Sequence, residues 1–162
     1  MSNLNTLIGK MIEYEDGCVE RVNHFLKVLA FAKTIAEGEG LDRETQDILE
    51  AAAVTHDVGI RVCFEKYGSC DGQKQELEGP PIAEKLLPAC GYAPAVCARV
   101  CYLIGHHHTY VGIDGADYQI LVEADFLVNI FENGMAQEAA RKIRDNIFKT
   151  KTGRKLLTDL YL

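Results

Sequence analysis

Residues 48–60 read ILEAAAVTHDVGI. Ile48, Leu49, Ala52, Ala53 and Thr55 recur at helical spacing, and Asp42 stands upstream as a good N-cap. The stretch is therefore an amphipathic helix that carries His56 and Asp57 to its C-terminal end. Neighbouring residues on a helix point about 100° apart. His56 and Asp57 can share one ion only where the chain turns away from the helix axis, and the helix breaker Gly59 fits such a turn.

Outward from this helix the apolar period stays near 3.6. Val19 to Glu37 forms a helix with Val22, Phe25, Leu26, Leu29, Phe31, Ala32 and Ile35 on its apolar face, stopped by Gly38 and Gly40. Residues 61–77 read as irregular, with Gly68 and Gly72 among polar residues. Pro80 and Pro81 suit the first turn of a helix from Ile82 to Leu87. Pro94 opens another that runs to about Gly105, and 109–116 is a glycine-containing loop. Asp117 caps a helix bearing Ile120, Leu121, Ala124, Leu127, Val128 and Ile130, which Asn133-Gly134 ends. A further helix spans about Ala136 to Phe148, and a short one follows Thr152. No segment alternates with period two between turn residues, so the expected fold is an all-α bundle.

The whole chain sets bounds on this reading. Its 162 residues suit one domain, and 48% hydrophobic with 25% charged residues excludes a disordered chain. No window approaches the roughly 18 uninterrupted apolar residues of a membrane span. Met1 to Lys10 holds no signal-peptide pattern, from which a cytoplasmic protein is expected. The net charge of −7 argues against stable nucleic-acid binding and against an anionic membrane partner. Residues 1–140 hold 10 Lys/Arg against 22 Asp/Glu, a net of −12, and residues 141–162 hold 7 against 2, a net of +5. That basic cluster (Arg141, Lys142, Arg144, Lys149, Lys151, Arg154, Lys155) is either a solvated helical face or a seat for phosphate or an acidic partner. The six cysteines include no C-x-x-C pair and fit reduced, core-filling roles in a reducing compartment. The apolar tail LLTDLYL (156–162) can dock on its own core or on another subunit, which leaves the oligomeric state open.

The chemistry-bearing residues lie on these helices. His24 faces inward near Phe25 and Val28, a position that suits a core histidine or a ligand. Asp125 sits among Leu121, Ala124 and Val128, where a carboxylate is costly unless it is paired or coordinated. Taken together, His24, His56, Asp57 and Asp125 are two imidazoles and two carboxylates from three helices that a bundle can bring together. Such a set suits Fe, Mn, Co, Ni or Zn, with Mg possible alongside waters.

The order His24, His56-Asp57, Asp125 resembles the HD-domain superfamily of metal-dependent phosphohydrolases. The contexts match as well as the letters: RVNHFLKVLAFAKTIA (21–36) resembles the family's first helix, ILEAAAVTHDVGI its second, GPPIAEKLL (79–87) and CYLIGHHHTY (101–110) the next two, and ILVEADFLVN (120–129) the helix that supplies the last aspartate. The resemblance covers about 19–130 and implies a single HD-like domain over 1–162, with a C-terminal helical extension from 131 to 162. It implies His24, His56, Asp57 and Asp125 as metal ligands, for one or two divalent ions. Two-metal relatives add a histidine on the third helix and a His-His pair after the fourth. Here Glu78 stands at the first of these positions, and His107 and His108 are preferred over His106 for the second. Asp57 is then the bridging ligand. Asp57, Glu78, His107 and His108 are the expected catalytic groups, with Lys66, Lys74 or Arg21 as candidate phosphate contacts. TYVGIDG after the histidines lacks the GYP signature, which argues against cyclic-dinucleotide hydrolysis. The implied activity is hydrolysis of a phosphate ester, a nucleotide or another small phosphorylated metabolite, through a metal-bound hydroxide. A non-catalytic nucleotide- and metal-binding module and a diiron oxygenase on the same fold are the alternatives.

Overall fold

The computed structural model describes residues 3–162. Among them are nine helices and no strand: α1 (Asn3–Glu15), α2 (Val19–Glu39), α3 (Arg43–Thr55), α4 (Ile60–Tyr67), α5 (Gly72–Ala89), α6 (Pro94–Ile104), α7 (Ala116–Glu132), α8 (Gln137–Asn146) and α9 (Lys151–Tyr161). The expected all-α bundle is the observed architecture.

Helix α3 is the hub. It packs on α2, α7, α6 and α1, and every residue from Leu49 to Thr55 is buried. The run Ala51-Ala52-Ala53 makes this possible, because small side chains on all faces let neighbouring helices approach from several directions. Asp42 caps α3 as expected, accepting from Thr45 N–H at 2.9 Å. Helix α2 runs to Glu39 and ends at Gly40, whose φ of +71° is the left-handed conformation that glycine adopts without strain. Helix α7 packs on both α2 and α3, so the three helices carrying His24, His56-Asp57 and Asp125 are mutual neighbours.

Four expectations need correction. Residues 61–77 are largely helical, forming α4 and the first turns of α5. Pro80 and Pro81 lie inside α5, not at its start. The true N-cap is Asp71, whose side chain accepts from Lys74 N–H at 2.9 Å. Each proline removes its own N–H bond and crowds the carbonyl four residues back, and the packing of α5 on α6 and α4 holds the helix together across them. Asp117 is in the first turn of α7 behind the N-cap Gly115, because Arg99 takes its carboxylate at 2.7 and 2.8 Å. The fourth correction concerns Gly59, which has φ −76° and is no left-handed breaker. A side chain there would meet Gly79 N at 2.9 Å and Gln75 O at 3.0 Å. Glycine is needed because the α5 backbone passes directly over the turn.

Helix α1 was not foreseen. It packs on α2, α3 and α5, and Tyr14 OH donates to Val58 O at 3.0 Å. Arg61 returns a bond to Tyr14 O at 2.7 Å, so the turn after His56-Asp57 is supported from outside. The C-terminal tail docks on its own chain: Leu157 is buried, and Tyr161 OH donates to Leu127 O at 2.6 Å. All six cysteines are unpaired. No helix among the described residues is long and apolar enough to cross a membrane.

Candidate metal centre

His24 lies in the second turn of α2, His56 and Asp57 directly follow the last residue of α3, and Asp125 lies in the middle of α7. Their polar atoms converge. His24 Nε2 stands 3.1 Å from His56 Nε2, 3.2 Å from Asp125 Oδ1 and 3.3 Å from Asp57 Oδ2. His56 Nε2 is 3.4 Å from Asp57 Oδ2 and 3.5 Å from Asp125 Oδ1. The other oxygen of Asp57 faces elsewhere: His107 Nε2 is 3.5 Å from Asp57 Oδ1. Potential ligand atoms of Asp57, His107 and His108 all lie within 4.8 Å of one another, as do those of His24, His56 and Asp57. Asp57 is the residue the two groups share.

Hydrogen bonding sets which ring nitrogens are available. His56 Nδ1–H donates to Ala53 O and His107 Nδ1–H to Ile104 O, each at 2.8 Å and each within the local turn. In the tautomer these bonds select, each ring turns Nε2 towards Asp57. His107 Nε2 is buried and has no hydrogen-bond partner. A buried nitrogen lone pair with nothing to accept is costly unless something electrophilic meets it. His24 Nδ1 donates to Glu132 Oε2 at 2.9 Å, since an ionised carboxylate offers no proton.

Charge completes the picture. Burial opposes protonation of His24, but Asp125 and Asp57 outweigh it and lift its pKa above the ordinary 6.5. His56 is lifted well above that value by the same carboxylates against still heavier burial. Burial also opposes ionisation of Asp57 and Asp125, yet the adjacent imidazoles hold both well below 3.8. His108 behaves oppositely: burial and its neighbour His107 push it down to about 4, so it stays neutral near neutral pH. Two carboxylates held ionised in a buried site attract positive charge strongly, and in the metal-free protein protons supply it.

A divalent cation fits this donor set. Ligands about 2.1 Å from a shared ion lie roughly 3.0–3.4 Å apart, close to the 3.1–3.5 Å that separates the two imidazole Nε2 atoms from each other and from the carboxylates of Asp57 and Asp125. The partnerless His107 Nε2 points the same way for the group around Asp57 Oδ1.

The remaining expected residues are placed as follows. His106 stands apart: it stacks on Tyr102 at 4.1 Å, and its Nδ1 donates to Tyr102 O. Glu78 does not join the cluster. Lys66 Nζ and Tyr67 OH take its two oxygens at 2.7 and 2.6 Å, and it lines a separate cleft with Val62, Pro81 and Lys85. Because α5 begins at Gly72, the residue that faces the histidines is Gln75, one turn earlier. Its Oε1 lies 3.0 Å from His108 Nε2. Lys74 pairs with Asp71 and Ser69, so of the three candidate phosphate contacts only Arg21 lines the site. That site is an open cavity of about 270 Å³ that also meets Glu20, Asn129 and Glu132. Arg21 is held through Nε by the buried carboxylate of Glu15.

Sequence reasoning missed Gln75, Asn129 and Glu132. The signal for the last two was present: 125, 129 and 132 follow helical spacing on one face of α7. Gln75 was hidden inside a stretch read as irregular.

An all-helical bundle that turns two histidines and two aspartates from three helices onto one point belongs to a recognisable class of metal-binding folds. The HD domain model matches residues 21–149 of the chain, and the chain belongs to the HD domain family. A crystal structure described as that of a predicted HD superfamily hydrolase, from an uncultured Thermotogales bacterium, is 25% identical to it. The match covers 98% of this chain and 83% of that one, with a TM-score of 0.65. No protein of curated function matches the sequence.

Proposed function

We propose that the chain is a metal-dependent phosphohydrolase acting on a phosphate ester, a nucleotide or another small phosphorylated metabolite. The observation that carries this reading is the convergence of His24, His56, Asp57 and Asp125 at 3.1–3.5 Å beside an open cavity. His24, His56, Asp57 and Asp125 would hold one divalent cation, and Asp57, His107 and His108 would contribute to a second. When bound, such a cation polarises a phosphoryl oxygen and lowers the pKa of water towards about 7.

The chain's own groups supply binding, orientation and proton control. Arg21 lines the same cavity, and its guanidinium is suited to the non-bridging oxygens of a phosphate. The negative field of the chain disfavours anions, so this local charge matters for substrate entry. The carbonyls of Ala53 and Ile104 lock His56 and His107 in the tautomer with a bare Nε2. Asn129 Nδ2 donates to Asp125 Oδ1 at 2.9 Å and restrains that carboxylate. His108 lines the cavity, and its ring, neutral near pH 7, would be free to serve a second cation beside Asp57 and His107.

The test is elemental analysis of untagged protein purified without a nickel column, then a screen of the same sample against phosphomonoesters, nucleotides and phosphodiesters. The expected result is a bound divalent transition metal and chelator-sensitive release of phosphate. A metal-replete sample inactive across the panel removes the hydrolase reading. Tight nucleotide binding without turnover then supports a non-catalytic binding module, and two irons with an oxygen-dependent spectrum support the oxygenase.

A further inference from the structure

We infer that Glu132 is a positioning residue of the metal centre, fixing the ring of His24 and strengthening its Nε2 as a donor to a divalent cation. The inference rests on the metal-dependent reading above. Among the clustered histidines, His56 and His107 close their Nδ1–H bonds on carbonyls three residues back. His24 lies within α2, where the backbone carbonyls serve the helix, and its Nδ1 finds a partner 108 residues away in Glu132 Oε2. It is the cluster histidine whose orientation depends on a tertiary side-chain contact to a carboxylate.

The contact is built on both sides. Glu132 ends α7 two turns beyond Asp125, with Asn129 between them bonding Asp125 Oδ1. One stripe of α7 therefore carries a candidate ligand, a group that restrains it, and a group that orients a ligand from α2. Lys27, one turn beyond His24 on α2, holds the other Glu132 oxygen at 2.6 Å, so the carboxylate is fixed at both oxygens. A carboxylate accepting the distal N–H of a ligating imidazole raises the basicity of the other nitrogen, and its removal weakens metal affinity by about 10- to 100-fold.

The experiment compares the full chain with Glu132→Ala and Glu132→Gln. Metal-free protein is titrated with Co²⁺ against a chromophoric chelator at fixed pH, and the visible Co²⁺ spectrum is recorded. Glu132→Ala should weaken Co²⁺ binding about 10- to 100-fold and change the spectrum. Glu132→Gln, which keeps an acceptor oxygen without the charge and most nearly preserves the fold, should fall between that variant and the parent. Both should keep the parent's helical circular dichroism. If both variants bind Co²⁺ with the parent's affinity and spectrum, Glu132 has no such role and the metal reading stands. If the parent binds neither Co²⁺ nor Mn²⁺, the metal reading and this inference fall together.

Discussion

Asp57 shows how much one carboxylate is asked to do. One oxygen faces His24 and His56, and the other faces His107. Asp57→Ala should therefore remove metal from both groups. Elemental analysis should find less than a tenth of the parent's metal while circular dichroism stays helical, and full retention would place the metal elsewhere. Arg21 calls for a different outcome. Arg21→Ala should raise KM for a phosphate ester about tenfold and lower kcat less, since the residue meets the anion and not the candidate ligands. The pH response follows from the shifted groups. His24 and His56 titrate above 6.5, so their contribution to stability is complete below 6.5 and is lost as pH rises through the folded values. Asp57 and Asp125 titrate below 3.8, so theirs is complete above 3.8 and is lost as pH falls through the folded values. Together they favour the metal-free fold most between about pH 4 and 6.5. Metal needs neutral imidazoles, so its affinity rises with pH as the raised histidines release their protons. Thermal melts should show the metal-free Tm contribution declining above neutrality and the metal-induced increment growing. An increment that shrinks as pH rises would contradict the assignment of His24 and His56 as ligands.

At the scale of helices, the turn between α3 and α4 is the critical join. Four residues separate Thr55 from Ile60, and they include His56 and Asp57. The turn is held from outside by Tyr14 on α1 and from above by the α5 backbone at Gly79 and Gln75. Gly59→Ala should cost about 1–3 kcal/mol in urea unfolding, because the added methyl meets backbone atoms that cannot swing aside. It should also weaken metal binding, since α5 and Gln75 must retreat from His108. An unchanged midpoint would mean that α5 does not lie where it is described. The loop after α6 is tied in a similar way. Glu76 Oε1 accepts from His108 N–H at 3.0 Å and from Thr109 OH at 2.9 Å, so α5 places the histidine pair as well as covering the turn. The helical reading of 19–57 succeeded because each helix there has a regular apolar stripe and a clear cap or stop. It failed over 61–77 because Gly68, which ends α4 in the left-handed conformation, and Gly72, with Pro80 and Pro81 beyond, hid the helices on either side of a short turn. The packing of α5 on α4 and α6 holds Gly72, Pro80 and Pro81 in a helix, and no local pattern reports it.

Across the whole molecule, the C-terminal segment closes the bundle, while Arg141, Lys142, Lys149, Lys151 and Lys155 stay exposed. Glu123 on α7 is fully buried. It accepts from Lys149 N–H at 2.7 Å and Thr150 N–H at 3.0 Å, from Gln119 at 2.7 Å, and from the Thr150 hydroxyl. Of the basic residues there, Lys142, Arg144 and Lys155 pair with acids on their own helices. Glu123→Leu takes the acceptor from the Lys149 and Thr150 N–H groups and should lower stability by about 2–4 kcal/mol, measured by urea unfolding. Its metal stoichiometry at low temperature should match the parent's, which separates this clamp from the candidate metal centre. By itself the sequence determined the helical class, and it singled out the spaced histidines and aspartates. Hydrophobic period and ligand spacing are local properties that one chain displays. Which second-tier groups meet them was decided only by the tertiary structure. Gln75, Glu132 and Tyr14 meet the cluster or the turn that carries it from 33 to 108 residues away along the chain. Such meetings depend on how helices cross, and the crossings are set by packing against the small-residue face of α3, which no single segment encodes.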